Sequence, residues 1–243
     1  MKPKTSRLLL AAIATAALAA APLTQAAGNL IRNASFETVN GVVHDQGYLP
    51  AEFEQTGNIS PGADTYSNDD SYGIQPGGFG NFTGTTAQDG IRFAAGADFG
   101  SFAFVEAFGQ QLSAPLMAGA AYDFSGWIAD SFRAGTTRGG FDLLLSPSTT
   151  FGDAGAVMVG SLAPTTGVGG WEYRTLSFVA PTNAGMLGYL IFAPRSVGAS
   201  EAYIGIDNVS LTTAVPEPAT WGLMGLGLLA LTCAARRQTA QNA

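Results

Sequence analysis

Between residue 28 and about residue 214, the chain is a succession of short apolar or alternating segments, each bounded by Gly, Pro, Asn, Asp or Ser. Such spacing predicts short β-strands in a sandwich or barrel, and no segment carries a convincing amphipathic helix pattern. Nine segments are predicted as strands: 29–37, 91–94, 101–112, 120–129, 140–145, 156–162, 171–179, 187–192 and 202–212. Nine strands suit two packed sheets.

The segment 120–129 shows the alternation most clearly. One face carries Tyr122, Phe124, Gly126 and Ile128, and the other carries Asp123, Ser125 and Trp127. A period of two is typical of a half-buried strand. Because flat aromatic faces can stack on the C–H patches of sugars, Trp127 with Asp123 is a candidate ligand site. Alternatively, both faces of this strand are covered and Trp127 belongs to the core.

The connection from residue 40 to residue 88 is long for a compact sandwich. Loops of this size are usually functional or disordered, and the aromatic residues here indicate that part of the segment packs. Tyr66 and Tyr72 are further ligand candidates. Asp69 and Asp70 could bind a metal, but their spacing lacks the alternation of an EF-hand loop.

The amino terminus has the layout of a secretory signal peptide. Lys2, Lys4 and Arg7 precede an apolar run that ends in small residues, and cleavage after Ala26 fits the small-residue rule better than cleavage after Ala27. We expect a signal peptide at 1–26 and a folded domain at 27–214. An uncleaved anchor is the alternative, although the apolar run is short for a membrane span.

The carboxyl terminus, 215–243, differs equally from the domain. The motif VPEPAT at 215–220 leads into an apolar run at 221–235, and Arg236 and Arg237 follow. This pattern predicts a short transmembrane helix with its basic end in the cytoplasm. A buried core helix is less consistent with the glycines and flanking prolines.

The domain itself is strongly acidic. Between Ala27 and Val215 there are six arginines and 17 acidic residues, which give the domain a formal charge of −11. Such a surface repels nucleic acid and anionic lipid and attracts cations. The single cysteine, Cys233, lies in the tail as apolar filler or, alternatively, as a lipidation site. The exported domain therefore has no disulfide and depends on its core or on a metal.

The tail resembles the PEP-CTERM sorting signal through Pro216, Glu217 and Pro218, the apolar span, and the basic pair Arg236 and Arg237. The resemblance implies recognition by an exosortase, a membrane protease of Gram-negative bacteria that make exopolysaccharide. We expect transient anchoring in the inner membrane, followed by release to the cell surface or the extracellular matrix. Retention as an ordinary membrane anchor is the alternative.

The domain resembles the galactose-binding-like jelly rolls of carbohydrate-binding modules. Four patches carry the likeness: NLIRNASFE at 29–37, QQLSAPLMAGAAYDFSGW at 110–127, GWEYRTLSFVAP at 170–181 and YIGIDNVSL at 203–211. The implied fold is an all-β, two-sheet antiparallel jelly-roll sandwich. The third patch is a core pattern, in which Trp171 is expected to be structural.

In that family the first and last strands lie side by side, and an acidic residue from each often binds structural calcium. Glu37 and Asp207 match those positions. Two carboxylates, backbone carbonyls and water could supply the six or more oxygen ligands that calcium requires. The alternative is a solvated Glu37 and an Asp207 that caps a turn.

Catalytic signals are scarce. His44 is the only histidine, and neither a Gly-x-Ser-x-Gly elbow nor a phosphate-binding loop occurs. We therefore expect a non-catalytic exported protein that binds polysaccharide through a calcium-stabilised jelly roll. A purely structural or adhesive matrix protein is the second hypothesis. A secreted glycoside hydrolase is the third, since some carboxylate pair arises by chance among 17 acidic residues.

Overall fold

The computed structural model describes residues 28–41, 45–68, 73–75, 78–100, 104–133, 138–163, 165–197, 200–214 and 227. Gly28–Ala214 forms one compact unit. Within the described ranges, no helix has both the length and the apolar character that crossing a bilayer requires. The predicted signal peptide lies outside these ranges, and so does the predicted transmembrane segment apart from Gly227.

The described residues of the domain include ten strands and a short 3₁₀ helix at Ala184–Met186. The strands are β1 Glu54–Gln55, β2 Asp64–Ser67, β3 Arg92–Asp98, β4 Phe108–Gln111, β5 Ala121–Asp130, β6 Gly139–Ser146, β7 Val157–Leu162, β8 Glu172–Val179, β9 Tyr189–Ser196 and β10 Ala202–Thr213. All the strand pairs are antiparallel.

The strands form two five-stranded sheets. The first has the order β1-β4-β9-β6-β7, and the second has the order β2-β3-β10-β5-β8. From β3 to β10 the chain crosses to the other sheet at every connection except the one between β6 and β7, so that β10 lies beside β3 and β9 lies beside β4. This order of eight strands is the double Greek key of a jelly roll, which confirms the predicted fold class.

A hydrophobic core fills the space between the sheets. Phe108, Phe141 and Phe192 of the first sheet and Tyr122 and Phe124 of the second are among its fully buried residues. Along β5 the burial alternates as the sequence predicts, because Tyr122, Phe124 and Ile128 face this core. The other face of β5 is the outer face of the second sheet.

The predicted strand at 29–37 is wrong. Asn33 and Phe36 have φ values of 48° and 61°, so the segment bends instead of extending. It still lies beside β10, where the Asn29 side chain donates to the Val209 carbonyl and accepts the Leu211 N–H. The predicted neighbourhood is therefore present without strand geometry.

Candidate functional site

The outer face of the second sheet has a covered half and an open half. Over β2, β3 and β10, a second cluster of buried side chains includes Tyr66, Phe82, Phe93 and Tyr203. Phe82 belongs to the segment between β2 and β3, which crosses this face. In that segment the Asn81 carbonyl accepts the Phe132 N–H. Over β5 and β8 the side chains remain at the surface.

Six outward side chains on the open half form what we call the β5–β8 strip. The cross-strand pairs are Trp127 with Tyr173, Ser125 with Thr175, and Asp123 with Ser177. Tyr173, Thr175, Ser177 and Asp123 are exposed, whereas Trp127 and Ser125 are half-buried. The strip joins aromatic surface at one end to hydroxyl and carboxylate groups at the other.

The aromatic end of the strip is a pair of rings. The centroids of Trp127 and Tyr173 are 5.2 Å apart, with an angle of 54° between the ring planes. Such a tilted pair holds both rings in place while Tyr173 keeps 52% of its surface in water. At the polar end, the Ser177 hydroxyl donates to Asp123 Oδ1 over 2.6 Å.

Sequence reasoning identified Trp127 and Asp123 but missed Tyr173. The sequence did contain a pattern that could have identified Tyr173, because Tyr173, Thr175 and Ser177 alternate along β8 with residues of the opposite face. Assignment of the whole segment to the core concealed that alternation. Trp171 does pack: its ring meets Phe93 edge-on at 5.2 Å, and its Nε1 donates to the Thr86 carbonyl.

The structure contradicts the prediction that the Tyr66 ring binds a sugar. Its ring is fully buried, stacked on Phe93 with centroids 5.2 Å apart, and its hydroxyl accepts the Gly80 N–H. A ring enclosed on both faces offers no surface to a sugar in this conformation. Tyr72, Asp69, Asp70 and His44 lie outside the described residues.

Beneath the covered half lies an enclosed cluster of two carboxylates and two tyrosines. Asp64, Glu106, Tyr66 and Tyr203 are each at most 2% exposed. The Tyr203 hydroxyl donates to Asp64 Oδ2, and Glu106 Oε2 accepts the Ala97 N–H. Burial, reinforced by the charge of Asp64, raises the pKa of Glu106 to about 8. Perturbed carboxyl pKa values can mark active sites, but all four of these side chains are closed from solvent.

Glu37 and Asp207, the predicted calcium ligands, meet the same loop before β3. Asp207 Oδ2 accepts the N–H groups of Gln88 and Asp89, and Glu37 Oε1 accepts those of Ile91 and Arg92. Burial raises the pKa of Asp207 to about 7; three backbone hydrogen bonds oppose the shift, and the charge of Glu37 adds to it. The two carboxylates are therefore close enough to repel each other.

The oxygen ligands available at this loop meet part of what calcium requires. Two repelling carboxylates favour a cation, but among the described residues no group of three or more acidic, histidine or cysteine side chains converges on one point. The remaining oxygens would have to be carbonyls and water. Arg92 Nη1 already lies 3.4 Å from Glu37 Oε2 and supplies one positive charge.

The tail matches a known family. Residues 214–237 match the PEP-CTERM protein-sorting motif, a stretch that includes Pro216, Glu217, Pro218, Arg236 and Arg237. These residues lie outside the described part of the structure, apart from Ala214 and Gly227. The match identifies an exported protein with a carboxyl-terminal sorting tail.

Several solved structures resemble the domain. TmCBM61 in complex with beta-1,4-galactotriose shares 14% identity, covers 76% of this chain and 99% of its own, and has a TM-score of 0.41. CBM4 shares 17% identity over 76% of this chain and 99% of its own, with a TM-score of 0.43. A cyclase from Fischerella sp. TAU in complex with 4-(1H-indol-3-yl)butan-2-one shares 16% identity over 77% and 97%, with a TM-score of 0.48. No curated protein matches the chain.

Proposed function

We propose that this chain is an exported, non-catalytic glycan-binding protein whose β5–β8 strip binds polysaccharide. The supporting observation is the Trp127–Tyr173 ring pair, which lies at the surface beside hydroxyl and carboxylate groups. The sorting tail supports a place of action on the cell surface or in the extracellular matrix after exosortase processing.

Binding would combine stacking with hydrogen bonds. Tyr173 and Trp127 offer ring faces to the C–H patches of a sugar, and Asp123 accepts hydrogen bonds from sugar hydroxyls. Four residue steps separate Trp127 from Asp123 along β5, about 13 Å in a strand. The strip therefore suits an oligosaccharide segment of a polymer better than a single sugar.

Truncation of the aromatic pair tests the proposal. We expect Trp127→Ala and Tyr173→Ala each to weaken binding to matrix polysaccharide by about tenfold or more, because loss of a central aromatic anchor usually costs about 2 kcal/mol. Affinity electrophoresis and a glycan array measure the effect. Tyr48→Ala is the matched control, since Tyr48 is 47% exposed and its carbonyl accepts the Thr65 hydroxyl of β2, the edge strand opposite β8.

The outcomes separate the competing functions. Unchanged binding in both strip variants would overturn the proposed site. No binding to any glycan by the wild-type chain, with matrix retention that depends only on residues 216–243, would favour the structural or adhesive protein instead. Polysaccharide turnover that is lost with a single carboxylate would favour a hydrolase.

We further propose that calcium binds between Glu37 and Asp207 and stabilises the fold without entering any chemistry. The support is that both carboxylates bind the same loop, at residues 88–92, where the charge of Glu37 adds to the raised pKa of Asp207. A cation placed between them would offset that repulsion. When bound, the ion would join the amino-terminal segment to β10 and to the loop before β3. Binding only to the folded form would then raise the unfolding free energy.

Melting curves test the calcium proposal. We expect millimolar calcium to raise Tm by several degrees and a chelator to reverse the rise, with a larger effect at pH 8 than at pH 6 because calcium competes with the proton on Asp207. Asp207→Asn should abolish the calcium response. Asp153→Asn, in the β6–β7 loop, is the matched control. Coincident wild-type curves with calcium and with chelator would contradict the calcium site.

A further inference from the structure

One end of the sandwich carries the three most exposed large apolar side chains of the described residues. Met117, Val179 and Met186 are 68%, 66% and 76% exposed. Met117 lies in the β4–β5 loop, Val179 ends β8, and Met186 lies in the 3₁₀ helix before β9. We call this surface the apolar end.

Backbone hydrogen bonds hold the apolar end together. The Gly119 N–H donates to the Ala180 carbonyl, and the Leu112 N–H donates to the Gly188 carbonyl. These contacts join the β4–β5 loop to the β8–β9 loop. The three apolar side chains are therefore carried by loops that are fixed to each other.

The three stretches that carry these side chains are free of charge in a domain that is otherwise strongly acidic. They are 112–122, 175–194 and 208–214, and none contains a charged residue. Asp123 is the first charge along β5 from this end, and Asp153 lies in the β6–β7 loop, which also starts here. All 17 acidic residues of the domain lie outside the three stretches. Exposed apolar side chains on uncharged surface are typical of an interaction site.

The chain leaves the domain at this same end. The Ala214 N–H donates to the Ala121 carbonyl, so Ala214 lies beside the first residue of β5. Seven residue steps separate Ala214 from Trp221, the first residue of the apolar tail segment. Fully extended, those steps span at most about 25 Å.

We propose that the apolar end rests on the outer surface of the lipid bilayer while the tail is embedded. This proposal rests on the membrane anchoring inferred from the sorting motif. The opposite end of the domain is less able to reach the bilayer, because it lies at least the length of β5, about 30 Å, from the point where the short connection starts. Met117, Val179 and Met186 would enter the interface, where apolar side chains gain by leaving water. The acidic remainder would face away from anionic lipid and so avoid like-charge repulsion.

The test uses the full chain in phosphatidylcholine–phosphatidylglycerol vesicles that contain nitroxide-labelled lipid. Met117→Cys and Met186→Cys, each in a Cys233→Ser background, are labelled with an environment-sensitive fluorophore. We expect at least a twofold loss of fluorescence from the nitroxide lipid at both positions. Val197→Cys is the matched control: Val197 is 51% exposed and follows β9 at the opposite end, so its label should not be quenched.

A label on the native Cys233 reports whether the tail is embedded. Quenching at Cys233 without quenching at positions 117 and 186 would overturn the proposal and leave the anchoring intact. No quenching at Cys233 would overturn both. A blue-shifted label at 117 or 186 that nitroxide lipid does not quench would show that protein, such as a second copy, covers this end, and would also overturn the proposal.

Discussion

Glu106 is a buried carboxyl group beneath the covered half of the second sheet's outer face. The charge of Asp64 adds to the rise in its pKa, whereas the charge of Arg133 and hydrogen bonds from the Ala97 N–H and Tyr203 oppose it. Burial dominates these contributions and raises the pKa to about 8. The folded chain therefore holds a proton that the unfolded chain releases near pH 4.5.

This proton makes stability depend on pH. The contribution of Glu106 is complete below about pH 4.5 and is lost as the pH rises towards 8. Glu106→Gln cannot ionise but can still accept the Ala97 N–H. We expect urea titrations between pH 5.5 and 7.5 to show a shallower fall in unfolding free energy for Glu106→Gln, by up to about 1.4 kcal/mol per pH unit.

Glu54→Gln, on the exposed strand β1, is the control for this measurement and should keep the wild-type slope. Asp64, Asp130 and Asp207 also have raised pKa values, so a residual slope should remain in every variant. Equal slopes for the wild type and Glu106→Gln would contradict the assignment of the proton to Glu106.

The alternation of apolar and polar residues predicted the face on which a side chain lies only where the strand itself was predicted. Trp127 and Asp123 were placed on the correct face, since Tyr122 and Phe124 fill the opposite one. Tyr66 was misplaced because β2 was not recognised within the long connection, and because a loop covers the outer face on which it lies. Period-two patterning reveals which residues share a face, but not whether a distant segment buries that face.

At the scale of elements, the strands with strong alternation were predicted nearly in place, and the exceptions have local causes. β1 and β2 are two and four residues long, too short for a period to emerge. The segment 29–37 has a strand-like composition, but the left-handed backbone at Asn33 and Phe36 bends it. Side-chain hydrogen bonds from Asn29 then take over part of the pairing with β10.

The pairing of β4 with β9 depends on a glycine. In that ladder Gly109 faces Ile191, and a Cβ at Gly109 would lie 2.4 Å from the Leu190 carbonyl oxygen and 3.0 Å from Ile191 Cα. Both are backbone atoms, so the strands must separate to admit a methyl group. We expect Gly109→Ala to lower the unfolding free energy by about 1–3 kcal/mol, measured by urea denaturation.

Gly185→Ala is the matched control for that ladder. A Cβ at Gly185 meets nothing within 4 Å, so this variant should stay within about 0.5 kcal/mol of the wild type. A Gly109→Ala variant as stable as Gly185→Ala would show that β4 can shift without cost.

At the scale of the whole molecule, the jelly roll follows from the order in which the strands cross between the sheets. The sequence indicated two sheets by counting segments, and the resemblance supplied the topology. The loop that closes half of the outer face was beyond prediction, because that contact joins residues far apart in the chain. The open half, with the β5–β8 strip, therefore had to be found in the structure.

Net charge is the property of the whole molecule that restricts which polysaccharides the domain can bind. A domain with a formal charge of −11 repels polyanions over roughly a Debye length, about 10 Å at 0.1 M salt. We therefore expect binding to neutral polysaccharides to change little between 20 and 500 mM sodium chloride. Binding to uronic-acid polymers should be undetectable at low salt and should strengthen as salt screens the repulsion. Affinity electrophoresis across that salt range measures both, with the Trp127→Ala variant as the control for binding at the strip. Stronger binding of an acidic polymer at low salt than at high salt would mean that a local cationic site, not the overall charge, governs recognition.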